Sequence, residues 1–326
     1  MSSDGPTFII VGAARSGTTS LYHWLKLHPQ VFMSSVKETN FFAQLKPNFT
    51  GPGDQEINRP LATCKDPDGS YRTRHAVVVT SWDDYVSLFS KAAGFAARGE
   101  ASPAYLYYTD AAENIRRTIP GCKIIILLRN PVERAFSNYK VLLGGGRESL
   151  AFEAALRMED QRLRLGWEHF WALKGLGLYS AQVKRYLDTF PKEQIGIWLY
   201  EDLEHDQEQC FREVCQFISV DDRVELNFAK YNMSTSKQVE SNIDLFRRYP
   251  KSMRIINTWV PARFRTLARA ILKNSQQATP IVMRPATRIE LTEYFRPDIM
   301  KLQKLLPEHN VMRWLTEQTS LHRSAA

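Results

Sequence analysis

Apolar residues along this chain fall into short continuous runs, separated by longer stretches with helical spacing. Residues 7–11 (Thr-Phe-Ile-Ile-Val), 123–128 (Lys-Ile-Ile-Ile-Leu-Leu) and 195–200 (Ile-Gly-Ile-Trp-Leu-Tyr) are three such runs. Runs of this length, rich in Ile and Leu, fit strands covered on both faces, as in a parallel sheet. Residues 99–102 end a shorter strand. Helical patterns cover residues 17–27, 83–91 (with Ser81 as cap), 110–118, 132–142 (with Pro131 in the first turn), 152–165, 179–190 and 201–218. The last of these carries its acids in the first turn, where they complement the helix dipole. From about Val239 the pattern is helical throughout, and residues 288–306 show a stripe of Ile289, Tyr294, Ile299, Leu302 and Leu306. Residues 46–75, rich in Pro and Gly, predict a long irregular loop, and loops of that length are usually functional. Gly144-Gly145-Gly146 predicts a flexible joint, and residues 166–177 a loop carrying Trp167, Phe170 and Trp171. The alternation predicts an α/β fold: one domain over residues 1–326, with a central parallel sheet between helical layers and a helical C-terminal part from about residue 240.

Composition narrows the class. The 326 residues, 44% of them hydrophobic, suffice for a large core. No apolar run approaches the roughly 20 residues of a membrane span. Residues 1–5 lead straight into the first strand without a leader segment, so the expectation is a soluble cytoplasmic protein. Cys64, Cys122, Cys210 and Cys215 show no C-x-x-C spacing, which argues against a zinc site or a disulfide framework. The formal net charge is +8, and no acidic residue occurs between Leu245 and Ile289. That window (245–289) carries Arg247, Arg248, Lys251, Arg254, Arg263, Arg265, Arg269, Lys273, Arg284 and Arg288. It reads as a solvated basic face or as a contact for an anionic partner: a polyanionic cofactor, an acidic acceptor or, peripherally, a membrane surface. Tyr249, Trp259 and Phe264 are interleaved there, but no nucleic-acid motif accompanies them, and nucleic acid is not an expected partner.

The chemistry concentrates in two segments. Gly12-Ala13-Ala14-Arg15-Ser16-Gly17-Thr18-Thr19 joins the first strand to the first helix, the arrangement of a phosphate-binding loop. In the nucleoside-triphosphate version, G-x-x-x-x-G-K-[ST], a lysine follows the second glycine. Here that position is Thr18, and a cation stands instead at Arg15. The second segment begins where the run 123–128 ends. A nucleoside triphosphatase needs a metal-holding aspartate at the tip of a neighbouring strand; this chain has Arg129. Both departures point to an anion held by protein cations without a metal. In a sheet of this kind ligands lie beyond the carboxyl ends of the strands, which is where Arg15, Arg129 and Tyr200 would gather.

The same two segments, Arg15-Ser16-Gly17-Thr18-Thr19 and Leu128-Arg129-Asn130-Pro131-Val132-Glu133-Arg134-Ala135-Phe136-Ser137-Asn138-Tyr139, resemble the sulfotransferase family, whose donor is 3′-phosphoadenosine 5′-phosphosulfate (PAPS). Lys37-Glu38-Thr39-Asn40-Phe41-Phe42 and Gly99-Glu100-Ala101-Ser102-Pro103-Ala104-Tyr105 resemble segments of its carbohydrate, heparan-type branch. Leu199-Tyr200-Glu201-Asp202-Leu203 resembles a further family segment. The matches run in order from about Phe8 to Leu203, and the C-terminal third matches loosely.

The resemblance implies a P-loop-like α/β/α fold and transfer of the sulfuryl group of PAPS to an acceptor hydroxyl or amine, leaving 3′-phosphoadenosine 5′-phosphate (PAP). It implies that Arg15, Ser16, Gly17, Thr18, Thr19 and Ser20 cradle the 5′-phosphosulfate, that Arg129 and Ser137 hold the 3′-phosphate, and that Tyr200 lies near the adenine. Ser234 and Lys237 correspond to a loop closing over the nucleotide. Glu38 is implied as general base, with Lys37 as a second cation over the sulfuryl group and His75 as the rival base. The acceptor, a small molecule, carbohydrate or lipid, would lie between residues 46–75, residues 144–177 and the basic C-terminal helices. Trp167, Phe170 and Trp171 suit sugar, lipid or aromatic partners alike.

Each assignment has a structural alternative. Glu38 can be a loop carboxylate paired with Lys37. Arg129 can pair with Glu100 or Glu133. Ser137 can bond back to its own helix, and Tyr200 can be core. The remaining histidines read as surface or helix-face residues. The competing functions are a P-loop kinase, disfavoured by Thr18 and Arg129, and a non-catalytic nucleotide-binding protein. Acceptor identity and oligomeric state are not written in the motifs.

Overall fold

The run at residues 8–11 lies in the middle of the protein because its side chains are apolar on both faces. In the computed structural model, which describes residues 5–44, 49–52, 79–226, 228 and 281–316, five strands form one parallel sheet in the order β2-β3-β1-β4-β5. They are β1 (Phe8–Gly12), β2 (Val31–Met33), β3 (Ala97–Ala101), β4 (Lys123–Leu128) and β5 (Ile195–Leu199). β1 pairs with β3 through Ile9 opposite Glu100, and with β4 through Ile9 opposite Ile124. Alternate residues then feed two cores. Ile9, Val11, Ile124, Ile126 and Leu128 point to one side, and Phe8, Ile10, Ile125 and Leu127 to the other.

Helices cover both faces. On the side of Phe8 and Ile10 lie α1 (Thr18–Leu27) and, further along the chain, a helix ending at Ile218. On the side of Ile9 and Val11 lie α2 (Trp82–Ser87), α3 (Ala111–Thr118), α4 (Pro131–Gly144), α5 (Phe152–Arg164) and α6 (Tyr179–Thr189). After β5 come α7 (Tyr200–His205) and α8 (Gln207–Ile218), and finally α9 (Pro285–Leu305). This is the three-layer α/β/α arrangement expected from the alternating pattern. Among the described residues, no helix is long and apolar enough to cross a membrane.

The connections decide where a ligand can sit. From β1 the chain passes to β2 and β3 on one side; from β4 it passes to β5 on the other. The crevice between the carboxyl ends of β1 and β4 is therefore the topological switch point of the sheet. A bulge between Ile10 and Gly12 loosens the β1–β4 ladder there, and the Ala13 amide donates to the Leu127 carbonyl at 2.6 Å. Gly12 is needed at the exit, because a Cβ would overlap the Leu106 side chain.

Several local expectations change. The three-residue β2 was not expected; its pattern is too short to register. The helix expected over 83–91 stops at Ser87, although Ser81 caps it as anticipated by accepting from the Asp84 amide at 3.1 Å. The helix expected over 201–218 is two helices, because Asp206 leaves helical geometry and caps α8 by accepting from the Gln209 amide at 2.9 Å. Tyr200 opens α7 rather than ending β5. The triple glycine is not a flexible joint. Gly144 ends α4, Gly146 takes φ +70°, and the amides of Gly146 and Arg147 donate to Leu143 and Leu142 (both 2.9 Å), a closed Schellman end. In α9 the buried face is Leu291, Phe295, Ile299 and Leu302, while Ile289 and Tyr294 are 46% and 45% exposed. Most of residues 46–75, with Cys64, and all of 239–280 lie outside the described residues. So does the segment holding Ser234 and Lys237.

Gly99 tests the sheet packing. A Cβ there would overlap the Phe8 ring and the Met33 sulfur, both in the strand core. Gly99→Ala is expected to lower unfolding stability by about 1–3 kcal/mol through overpacking, measured by urea denaturation.

Candidate functional site

At the switch point the chain leaves β1, crosses residues 13–17 and enters α1. Gly17 sits at the helix N-cap with φ +85°, and as a glycine it brings no capping side chain to the first turn. The Thr18, Thr19 and Ser20 amides therefore open the positive end of the helix dipole toward the crevice. Arg15 also takes a left-handed φ of +70°, a conformation that costs energy in a residue with a Cβ. Ser16 is fully buried beside Tyr179.

The loop after β4 meets this one. Arg129 Nη1 donates to the Arg15 carbonyl at 3.1 Å, and its guanidinium carbon lies 4.2 Å from the centroid of the Tyr200 ring. Tyr200 in turn packs on Gly17, where a Cβ would come within 3.0 Å of the ring. Asn130 caps α4 by accepting from the Val132 amide at 3.1 Å, and its own amide donates to Glu201 Oε1 at 2.8 Å. Two turns into α4, Ser137 accepts from Arg15 Nε at 3.3 Å. Arg15, Ser16, Gly17, Thr18, Thr19, Ser20, Arg129, Ser137 and Tyr200 thus share one sheet edge. The alternative pairing of Arg129 with Glu100 or Glu133 does not occur: Glu133 pairs with Arg288, and Glu100 is bonded to hydroxyls. Nor is Tyr200 core, since its hydroxyl donates to Glu204 at the surface (3.2 Å).

The electrostatics are one-sided. Burial first, and the Arg129 charge second, bring the Arg15 guanidinium down to about 10; the Glu38 carboxylate opposes them. Arg15 stays cationic at neutral pH, and its depressed value records positive groups crowded into a desolvated corner. Behind them, Arg134 is fully buried on α4. It donates through Nη2 to the Leu173 carbonyl, and its Nε and Nη1 have no partner.

The Glu38 carboxylate comes from the turn between β2 and α2. Lys37 Nζ donates to Glu38 Oε1 at 2.8 Å, with the lysine side chain 3% exposed and the glutamate side chain 35%. The ion pair of the structural alternative therefore exists, and it stands within electrostatic range of Arg15. Glu38 has φ +64° and Asn40 φ +53°. Beneath them lies a buried polar network. Glu100 Oε1 accepts from the Ser102 hydroxyl and from Thr39 Oγ1 (3.3 Å), and Oε2 accepts from the Tyr85 hydroxyl (3.3 Å). Burial pushes the Glu100 carboxyl up to about 7 against those hydrogen bonds.

Residues 144–177 form a structural node. Arg162 makes a two-pronged ion pair with Glu148 (2.6 and 3.1 Å) and lies over the rings of Trp167 and Trp171. Trp171, 1% exposed, is therefore core rather than a free binding surface. Trp167 and Phe170 are half-buried. His169 is not a surface residue either. Its Nδ1 meets the Tyr108 hydroxyl at 3.1 Å, and burial lowers its pKa while Glu168 and Glu38 raise it.

Sequence reading passed over Arg134, the Glu100 network and His169. Arg134 left a signal: with Asn138 it interrupts the apolar face of α4. Lys237 and the rival base His75 lie outside the described residues. Among the described residues, no group of three His, Cys, Asp or Glu side chains is placed to hold a metal ion.

Comparison with known proteins supplies context. Residues 6–223 match a family model described as "Sulfotransferase family". A crystal structure of a sulfotransferase from Alicyclobacillus acidocaldarius superposes with a TM-score of 0.72 at 32% identity, covering 95% of this chain and 98% of that one. Rat carbohydrate sulfotransferase 15 is 24% identical over 253 residues, 66% of this chain and 44% of its own length. Human heparan sulfate glucosamine 3-O-sulfotransferase 6 is 27% identical over 191 residues, 57% of this chain and 44% of its own. The chain thus spans less than half the length of these curated relatives.

Glu100 gives the site a measurable pH signature. Its folded value, about 7, lies above the ordinary 4.5, and Tyr85, Tyr105 and Cys122 around it are held neutral by burial. The stability contributed by the neutral carboxyl is full below the unfolded value and is lost as pH rises through about 7. Glu100→Gln is therefore expected to gain stability relative to the parent protein between pH 5 and pH 8, measured by denaturant unfolding at each pH; a constant difference would contradict the burial argument.

Proposed function

Because the chain belongs to the sulfotransferase family, we propose that it moves the sulfuryl group of PAPS to an acceptor hydroxyl, with Glu38 as general base and no metal. The observation that carries this reading is the contact of Arg129 with the Arg15 carbonyl at the N-terminus of α1, whose cap residue is a glycine. A cation occupies the place where a nucleoside triphosphatase puts its metal-binding aspartate. It stands beside an arginine where that enzyme relies on a lysine one residue past the second glycine.

In the proposed reaction the acceptor oxygen attacks sulfur in line. A new O–S bond forms, and the bond from sulfur to the bridging oxygen breaks with its electron pair left on the 5′-phosphate of PAP. The acceptor proton goes to the Glu38 carboxylate. Arg15 and the first-turn amides of α1 favour the negative charge that grows on the bridging oxygen. An arginine is suited to this role as a fixed charge and not as an acid, since it stays protonated. Arg129 and Ser137 are the proposed holders of the 3′-phosphate, and Tyr200, stacked on Arg129, the proposed wall for the adenine. Lys37, hydrogen-bonded to Glu38 Oε1, would orient that carboxylate and add positive charge near the sulfuryl oxygens. The names of the relatives support a carbohydrate hydroxyl as the acceptor class.

Titration calorimetry separates this reading from a kinase. PAP is expected to bind without Mg²⁺ and ATP not to bind; the reverse would refute the assignment. Arg129→Ala is expected to weaken PAP by about 10–100-fold, the loss of a charge-assisted contact, while adenosine 5′-phosphate changes little. Equal losses for both ligands would remove Arg129 from the 3′-phosphate. Glu38→Gln is expected to keep PAP affinity and to lower transfer from ³⁵S-labelled PAPS by about 10²–10⁴-fold. Acceptors for that assay come from a screen of carbohydrate, lipid and phenol classes by mass spectrometry. A protein that binds PAP yet sulfates none of them would be a non-catalytic binder.

A further inference from the structure

Two non-glycine residues, Glu38 (φ +64°) and Asn40 (φ +53°), hold left-handed backbone conformations within one three-residue turn. Such conformations persist only where the surroundings over-determine them. The surroundings here are specific. The Glu38 amide donates to the Ala101 carbonyl at 2.8 Å, and the Asn40 side-chain amide donates to the Glu38 carbonyl at 3.0 Å. The Asn40 backbone amide donates to Ser102 Oγ at 3.2 Å, and the Val79 amide donates to the Thr39 carbonyl at 3.0 Å. Between Glu38 and Asn40, the Thr39 side chain turns inward and donates to Glu100 Oε1 at 3.3 Å.

Glu100 sits at the centre of these contacts and has no exposed surface. Its Oε1 takes the protons of both Thr39 and Ser102. By taking the Ser102 proton it leaves that oxygen's lone pairs to the Asn40 amide. By taking the Thr39 proton it pins the residue between the two strained ones. Tyr85 holds Oε2 from the other side, and the Tyr105 hydroxyl, 3.2 Å from Thr39 Oγ1, also accepts from the Phe42 amide at 3.3 Å. Glu100 is moreover opposite Ile9 of β1, the strand that delivers the Arg15 loop. The network thus ties the Glu38 turn to the same strand pair that carries the phosphate loop. Nothing about a buried carboxyl serves hydrophobic stability; an apolar side chain would be cheaper to bury.

We propose that Glu100, through Thr39 and Ser102, is a positioning residue that sets the Glu38 carboxylate against the acceptor; this rests on Glu38 being the base. Glu100 touches neither donor nor acceptor. Its contribution is the geometry of the proton transfer, where a displacement of about 1 Å costs on the order of 10²-fold in rate.

The test compares kcat for sulfuryl transfer, KM for PAPS and the dissociation constant of PAP across five variants. Ser102→Ala and Thr39→Val are each expected to lower kcat by about 10-fold, and Glu100→Leu by about 10–100-fold, with PAP affinity within about twofold of the parent protein. Glu100→Gln is expected to restore most of the rate, because its amide oxygen still accepts from Thr39 and Ser102 while its NH₂ faces the Tyr85 hydroxyl. Should Glu100→Leu fail to fold, Ser102→Ala and Thr39→Val decide the matter alone. Parent-level kcat in both of those variants, or losses of kcat and PAP affinity in step, would overturn the positioning role while Glu38→Gln stays inactive. Transfer retained in Glu38→Gln would instead overturn the base itself, and the positioning role with it.

Discussion

Two arginines meeting at one sheet edge impose the constraint on which the site depends. Arg129 reaches across the β1–β4 crevice to the carbonyl of Arg15, and both guanidinium groups lie in a partly desolvated corner with Arg134 behind them. Like charges in such a place repel one another, and burial removes the water that would screen them. What answers them is directional. The carbonyl of Arg15 faces one cation, the Tyr200 ring lies under it, and the Ser137 hydroxyl accepts from the other. The polyanionic donor proposed for this protein would supply counter-charge to this corner, beside the first-turn amides of α1.

The corner exists because of the strand order. β1 and β4 are adjacent, and their connections leave in opposite directions, so the two following loops flank the crevice between them. The bulge at Ile10–Gly12 and the missing Cβ of Gly12 let the first loop turn inside the Leu106 side chain. The Asn130 cap and Pro131 start α4 at once after Arg129, which brings Ser137 back to the crevice two turns later. Each arrangement is local and cheap, and together they place groups more than a hundred residues apart within hydrogen-bond distance.

Across the crevice the design differs. The Glu38 turn is held not by helix ends but by a buried carboxyl surrounded by hydroxyls, and its backbone is strained at two positions. A carboxylate hydrogen-bonded to a buried lysine on so constrained a turn keeps its direction, which the role proposed for Glu38 requires. The anion corner and the carboxylate turn are joined through β1 and β3, whose pairing sets Ile9 beside Glu100.

Much of this was legible along the chain. The apolar runs located β1, β4 and β5, and the spacing of Gly12, Gly17, Arg129 and Ser137 marked the anion corner, because strand cores and phosphate loops depend on neighbours close in sequence. β2 was invisible, since three residues are too few for a period to register. The break at Asp206 was hidden because a capping aspartate looks the same as an acid in the first turn of a longer helix. Trp171 and His169 could not be placed, because whether an aromatic or a histidine faces solvent or Arg162 and Tyr108 depends on which helices pack there. The chain by itself thus determined the central strands of the sheet, the phosphate-type loop and the family. Only the tertiary structure decided that Arg129 meets Arg15 rather than a carboxylate, and that Glu100 lies buried beneath Glu38. Burial and partner choice are properties of the packed whole, and no residue carries them alone.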